Sequence, residues 1–168
     1  KDNHIDSTYG QQIVERLDGQ DYLAVDGLNL PAFGSRSVEL ADGAPVEIAG
    51  CGAAAAVPFV LGGDHLQTPY YDVIFDERGY ISSLIDRENG RQLKGEGYAL
   101  NTFLVAEDVP DSWDNWDLDA DIADKWRDCA KLLSRSVVSC GAVELRIRSE
   151  YQLTKKSSLQ QDMVFYSK

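Results

Sequence analysis

From Thr68 to Leu93 the chain reads TPYYDVIFDERGYISSLIDRENGRQL. Two alternating segments, YYDVIF and YISSLI, flank DERG, which is the pattern of two strands joined by a tight turn. Gly79 closes that turn because a residue without Cβ takes a positive φ at no steric cost. A second turn dipeptide, Asn89-Gly90, ends the second strand. A hairpin of this kind buries one face only, so it needs other strands to pack against, and the search for those strands sets the fold class.

Outward from the hairpin the same period recurs. In AVELRIR, Val143, Leu145 and Ile147 alternate with Glu144, Arg146 and Arg148, which predicts a half-buried strand. In LQQDMVFY, Leu159, Gln161, Met163 and Phe165 share a face, and KKSS reads as the turn between these two strands. Turn dipeptides at Asp18-Gly19, Asp26-Gly27 and Asp42-Gly43 space short strands in the manner of an antiparallel β sandwich rather than a βαβ fold. One segment breaks the pattern. In ADIADKWRDCAKLL, Ile122, Trp126, Cys129, Ala130 and Leu133 recur at helical spacing, which predicts one short amphipathic helix with Trp126 in the core. The stretch GCGAAAAVPFVLGGD, Gly50 to Asp64, is built of small residues bracketed by glycines and reads as a linker or crossing.

Composition narrows the partners. With 28 acidic and 16 basic residues among 168, the net charge is -12, and such a surface repels phosphate backbones and anionic lipid. No nucleic-acid or membrane partner is therefore expected. No apolar run approaches the length of a membrane span and no leader opens the chain, which points to a soluble protein. The three cysteines, Cys51, Cys129 and Cys140, lack metal-like spacing and read as unpaired thiols. The chain has no Asn-x-Ser/Thr sequon. Both features lead to the expectation of a cytoplasmic protein.

The acidic residues concentrate in EDVPDSWDNWDLDADIADKW, Glu107 to Trp126, which also holds all three tryptophans. Asp117-Leu-Asp119-Ala-Asp121 opens like a calcium loop, but Ile122 stands where the loop needs glycine and Asp128 where it needs a bidentate glutamate. Zinc lacks ligands, since His4 and His65 have no partner at useful spacing. Carboxylates beside indoles suit a glycosidase or a sugar platform, yet nothing in the spacing makes them catalytic. There is no GxSxG and no sequence pairing of Cys with His. No catalytic or metal-binding residue is assigned.

Three runs carry a resemblance: TPYYDVIFDERGYISSLIDRENGRQL, LNTFLVAEDVPDSWDNWDLD and SLQQDMVFYS. In order and spacing they resemble the C-terminal β region of α-mannosidases of glycoside hydrolase family 38, in its bacterial and cytosolic branch. YLAVDGLNLPAFGSRSVEL resembles the strand and P-x-x-G turn that precede that region. The resemblance implies that 1–45 ends a small β subdomain, that 46–65 links or crosses, and that 66–168 begins a large sandwich with a galactose-mutarotase-like supersandwich architecture. It also implies an excised piece of a larger zinc-dependent retaining enzyme. The zinc and the catalytic acids belong to an α/β barrel of the same polypeptide, so no cofactor is expected in this chain, which would be inactive alone. Mannose-containing oligosaccharide is the implied substrate of the parent. Family members continue beyond the strand at SLQQDMVFYS, so an apolar edge and self-association are expected.

On this reading the chain is a non-catalytic domain that buttresses the barrel and lends Trp113, Asp114, Trp116 and Asp117 to the rim of the active site. The alternative is an independent carbohydrate-binding module in which Trp113 and Trp116 stack on sugar while Asp114 and Asp117 accept hydroxyl hydrogen bonds. A mutarotase-like epimerase fits less well, because His4 and His65 lie outside the strong strand segments.

Overall fold

A computed structural model describes residues 3–5, 9–42, 57–109 and 119–168. The chain is mainly β with antiparallel pairing throughout, as the alternating patterns predict. In order, the strands are β1 (Asn3–His4), β2 (Gly10–Glu15), β3 (Asp21–Asp26), β4 (Ala41–Asp42), β5 (Val60–Gly62), β6 (His65–Gln67), β7 (Tyr71–Phe75), β8 (Ile81–Asp86), β9 (Arg91–Gln92), β10 (Lys131–Cys140), β11 (Glu144–Gln152) and β12 (Ser158–Tyr166).

The opening hairpin forms as read. β7 pairs with β8 from Tyr71 opposite Asp86 to Phe75 opposite Ile81, and Gly79 turns the chain at φ 78°. Asp76 stabilises the turn by accepting from the backbone of Arg78 and Tyr80 through Oδ1. A Cβ at position 79 would lie 2.7 Å from Tyr151 Oη, so glycine is required there by both φ and packing. Strands β5 to β9 form one sheet in sequential order, and β10 to β12 form a second.

Between these two sheets lies an apolar interior. Phe59, Leu66, Val73, Phe75 and Ile81 come from the first sheet and its approach, and Cys140, Leu145 and Ile147 from the second, with Met163 and Phe165 packed against them. Leu66, Val73 and Leu145 have no exposed surface, and burying side chains of this size stabilises the fold by about 1.5–3 kcal/mol each. A second cluster closes one end: Tyr80, Ala130 and Tyr151 are buried, and Phe103 meets Tyr151 edge-on at 4.9 Å.

Three expectations are corrected. The helix predicted over Asp121 to Leu133 is a single 3-10 turn, Ala120–Asp124, followed by extended chain. Arg127 instead pairs with Val105, and from Lys131 the residues join β10, where ladder partners outweigh helical periodicity. Trp126, expected in the core, is 45% exposed. Cys140 is disulfide-bonded rather than a free thiol, which removes that ground for expecting a reducing compartment, while Cys129 is free and exposed. Among the described residues no helix is long and apolar enough to cross a membrane.

The strand over AVELRIR is also more deeply placed than predicted. Leu145 and Ile147 face the interior, but Glu144 and Arg146 on the opposite face are buried too, 3% and 7% exposed. That face carries the β2–β3 hairpin. Gln12 reaches across to it: its Oε1 accepts from the backbone N–H of Val143 and Glu144, and its Nε2 donates to Ser139 Oγ and the Glu144 carbonyl.

Candidate functional site

The residues singled out for the rim, Trp113, Asp114, Trp116 and Asp117, lie outside the described residues. What is described is the chain that flanks them on either side, up to 109 and from 119. Val105 and Arg127 exchange two backbone hydrogen bonds, 2.9 and 2.8 Å, which joins the chain on the two sides of that segment. Asn101, at φ 60°, turns the approach, and its side chain exchanges hydrogen bonds of 2.9 Å with Gln161 of β12.

Beside that point a clasp forms on Asp128. Arg78, from the β7–β8 turn, grips both carboxylate oxygens, one at 2.7 Å, and Tyr80 donates its hydroxyl to Oδ1 at 3.0 Å. Two parallel N–H···O bonds fix the plane of the carboxylate as well as its position. The Asp128 carboxylate raises the Arg78 guanidinium above its ordinary pKa, and burial pushes the Tyr80 phenol up, with its hydrogen bond to Asp128 acting in the same direction. Tyr80 in turn stacks on Tyr151 at 6.3 Å, which ties the clasp to the sandwich. Further along, Lys125 pairs with Asp121 at 2.8 Å, and that bond raises the lysine pKa, with Glu107 and Asp119 adding to it. The repulsion within the acidic segment is thus partly offset at its base by cations.

A second charged group was missed by sequence reasoning. On the face of β11 under the hairpin, Arg146 bonds Glu144 at 2.8 Å and Asp162 at 3.1 Å, while Arg148 bonds Asp162 at 2.8 Å and Glu15 at 2.7 Å. Burial pushes the Asp162 carboxyl up, but the hydrogen bonds from Arg148 and Arg146 outweigh it and hold the group below the usual carboxylate range. Burial likewise opposes the charge on Arg146, and Glu144 and Asp162 reverse that effect. The signal was present as alternating Glu-Arg-Arg facing an Asp in the next strand, but only the register, Arg148 opposite Asp162, joins them. Every member is satisfied within the group, which makes it a structural join rather than a reactive centre.

The two histidines are on strands after all. His65 opens β6 and lies 3.4 Å from Asp72, with its side chain 56% exposed, and His4 belongs to β1. Among the described residues no three His, Cys, Asp or Glu side chains are grouped to hold a metal, so they do not fit the zinc that the resemblance implies for the parent, and no chemistry is routed through it here.

No curated protein matches the chain. The family model of the glycosyl hydrolases family 38 C-terminal domain matches residues 66–168, which is well over half of the sequence and takes in both sheets from β6 onward as well as the acidic segment. The sandwich, the clasped segment and this match lead to one conclusion: the chain belongs to the glycosyl hydrolase family 38 C-terminal domain family.

Proposed function

We propose that this chain is the non-catalytic β domain of an α-mannosidase, sharing a polypeptide with a zinc-dependent catalytic barrel and presenting the acidic, tryptophan-bearing segment to the rim of its active site. The family match supports the non-catalytic role. The observation that carries the rim reading is the clasp: Arg78, Tyr80 and Asp128, with the Val105–Arg127 bridge, hold both ends of the segment against the rigid end of the sandwich. A segment that only closed a surface turn would not require a buried tyrosine and a bidentate arginine at its foot. A firm base lowers the ordering cost of binding a partner, which suits a loop that must meet substrate reproducibly.

The test uses the longer enzyme that contains the barrel. Asp114→Ala and Asp117→Ala are expected to lower kcat/KM on an α-mannoside while the melting temperature is unchanged. Lost stability with intact kcat/KM would make the segment structural only. The present chain alone is expected to show no turnover of a chromogenic α-mannoside, with or without added zinc.

A further inference from the structure

Away from the clasp, where β7 starts beside the end of β12, three tyrosines stand at the surface: Tyr70, Tyr71 and Tyr166, between 39% and 57% exposed. Large aromatic side chains gathered at a polar-rimmed surface mark interaction sites rather than random exposure. Two clefts meet here. One, of about 240 Å³, lies between Tyr70, Tyr71 and the Val164–Tyr166 end of β12; the other, wider and more open, runs past the same two tyrosines to Asp86, Arg87 and Glu88.

The ridge between the clefts is rigid. Thr68 is buried, and its hydroxyl accepts from the backbone of both Tyr70 and Tyr71, at 3.1 and 2.8 Å, while its own N–H donates to the Tyr71 carbonyl. Pro69 fixes φ at the next position. Arg87 locks the turn from the other side: its N–H donates to the Tyr70 carbonyl, and its guanidinium to the Thr68 carbonyl. The two rings are held 6.4 Å apart and tilted by 60°, so they present two apolar faces at an angle. Among the described residues none of the three phenol hydroxyls bonds another protein group, and the Glu88 carboxylate has no partner.

We propose that this ridge is a carbohydrate-binding surface, distinct from the acidic segment, that takes a neutral hexose chain. Aromatic faces match the C–H face of a sugar ring, and the flanking carboxylates, guanidinium and phenols supply the acceptors and donors that ring hydroxyls need. Charge disfavours an anionic ligand: Asp86 and Glu88 flank the ridge, the nearby cations are engaged elsewhere, Lys168 with Asp26 and Arg87 with the Thr68 carbonyl and Asp72, and the net charge of -12 repels anionic polymers. The preformed ridge requires no reorganisation on binding. The choice of sugar among neutral ligands rests on membership of a glycosyl hydrolase family. The site itself is independent of the barrel and of the rim reading.

Native gel affinity electrophoresis of this chain tests the proposal, with soluble α-mannan or a neutral β-glucan in the gel. Retardation by at least one polymer is expected, with at least a fivefold weaker apparent affinity in Tyr70→Ala and in Tyr166→Ala. Tyr70→Phe is expected to retain most of it, because the stacking face survives. Tyr98→Ala, at an exposed tyrosine elsewhere, serves as the unaffected control, and melting curves show whether each variant is folded. No retardation of the wild type by either polymer overturns the proposal. So does retardation that Tyr70→Ala and Tyr166→Ala leave unchanged, which would place the sugar elsewhere. Nitration of Tyr70 that is blocked in the longer enzyme but not in this chain also overturns it, since the ridge would then be a domain contact. None of these readouts requires turnover, so the result does not depend on whether the catalytic reading holds.

Discussion

The two faces of β11 are both buried over Glu144 to Ile147, by opposite chemistry. Toward the sandwich, Leu145, Ile147 and Tyr151 pack among apolar neighbours, and any side chain of similar size and shape would serve. Toward the β2–β3 hairpin, Glu144, Arg146 and Arg148 are held by named partners, and each depends on all the others being present. The first face supplies stability without much choice of partner. The second is sensitive to the removal of a single member, because a buried charge without its counterpart is costly. Apolar burial therefore holds the sandwich together, and the charged face determines what sits on top of it and in which register.

That contrast can be broken experimentally. Asp162→Ala removes the carboxylate shared by Arg146 and Arg148, leaving Arg146 with Glu144 alone and Arg148 with the half-exposed Glu15 alone, and is expected to destabilise by about 3–5 kcal/mol, read by urea denaturation. If the loss is under about 1 kcal/mol, water reaches the charged face and the contrast is false. Leu145→Ala, on the apolar face, should cost about 2–5 kcal/mol by the same measurement. Replacing Glu144, Arg146, Arg148 and Asp162 together by apolar residues of similar volume should separate the faces further, costing less than Asp162→Ala alone, since only the half-exposed Glu15 then lacks its partner. Acid probes the same face from solution. Because the folded Asp162 pKa is depressed, its contribution is fully present above the unfolded carboxylate value, about 3.9, and is lost as pH falls below that through the folded value. Amide exchange in β2 and β3 should therefore rise in that window before exchange at Leu66 and Val73 does. Glu15→Gln is expected to have the smallest effect, about 0–1 kcal/mol, because that carboxylate is half exposed at the end of the network.

The apolar face was legible in the sequence because period-two alternation reports directly on side-chain direction. The Thr68–Leu93 hairpin, its glycine turn and the pairing of AVELRIR with LQQDMVFY follow from the same rule. The charged face was not legible. Alternating Glu and Arg normally mean solvent, and burial here depends on a hairpin more than a hundred residues earlier in the chain. The segment at Trp126 failed for a related reason: its helical period is real, but a bridge to Val105 and the entry into β10 competed for the same backbone groups and won. Of the candidate site, the acidic, indole-bearing composition of Glu107 to Trp126 was legible in the sequence but the clasp on Asp128 was not, since nothing in the spacing links Arg78 to Asp128.

The reach of Gln12 also has a meaning in time. Its partners on Ser139, Val143 and Glu144 follow it by 127 to 132 residues. At ribosomal rates of about 5–20 residues per second, the surface they form is made on the order of ten seconds after Gln12 has been synthesised. During that interval β2, whose Val14 ends with 1% of its surface exposed, lacks the β10 and β11 surface on which it docks. The β5–β9 sheet, whose strands pair in sequential order, has no comparable wait. The docking of the first hairpin is therefore the step at which the speed of synthesis and the availability of a chaperone bear most on whether this domain folds or aggregates.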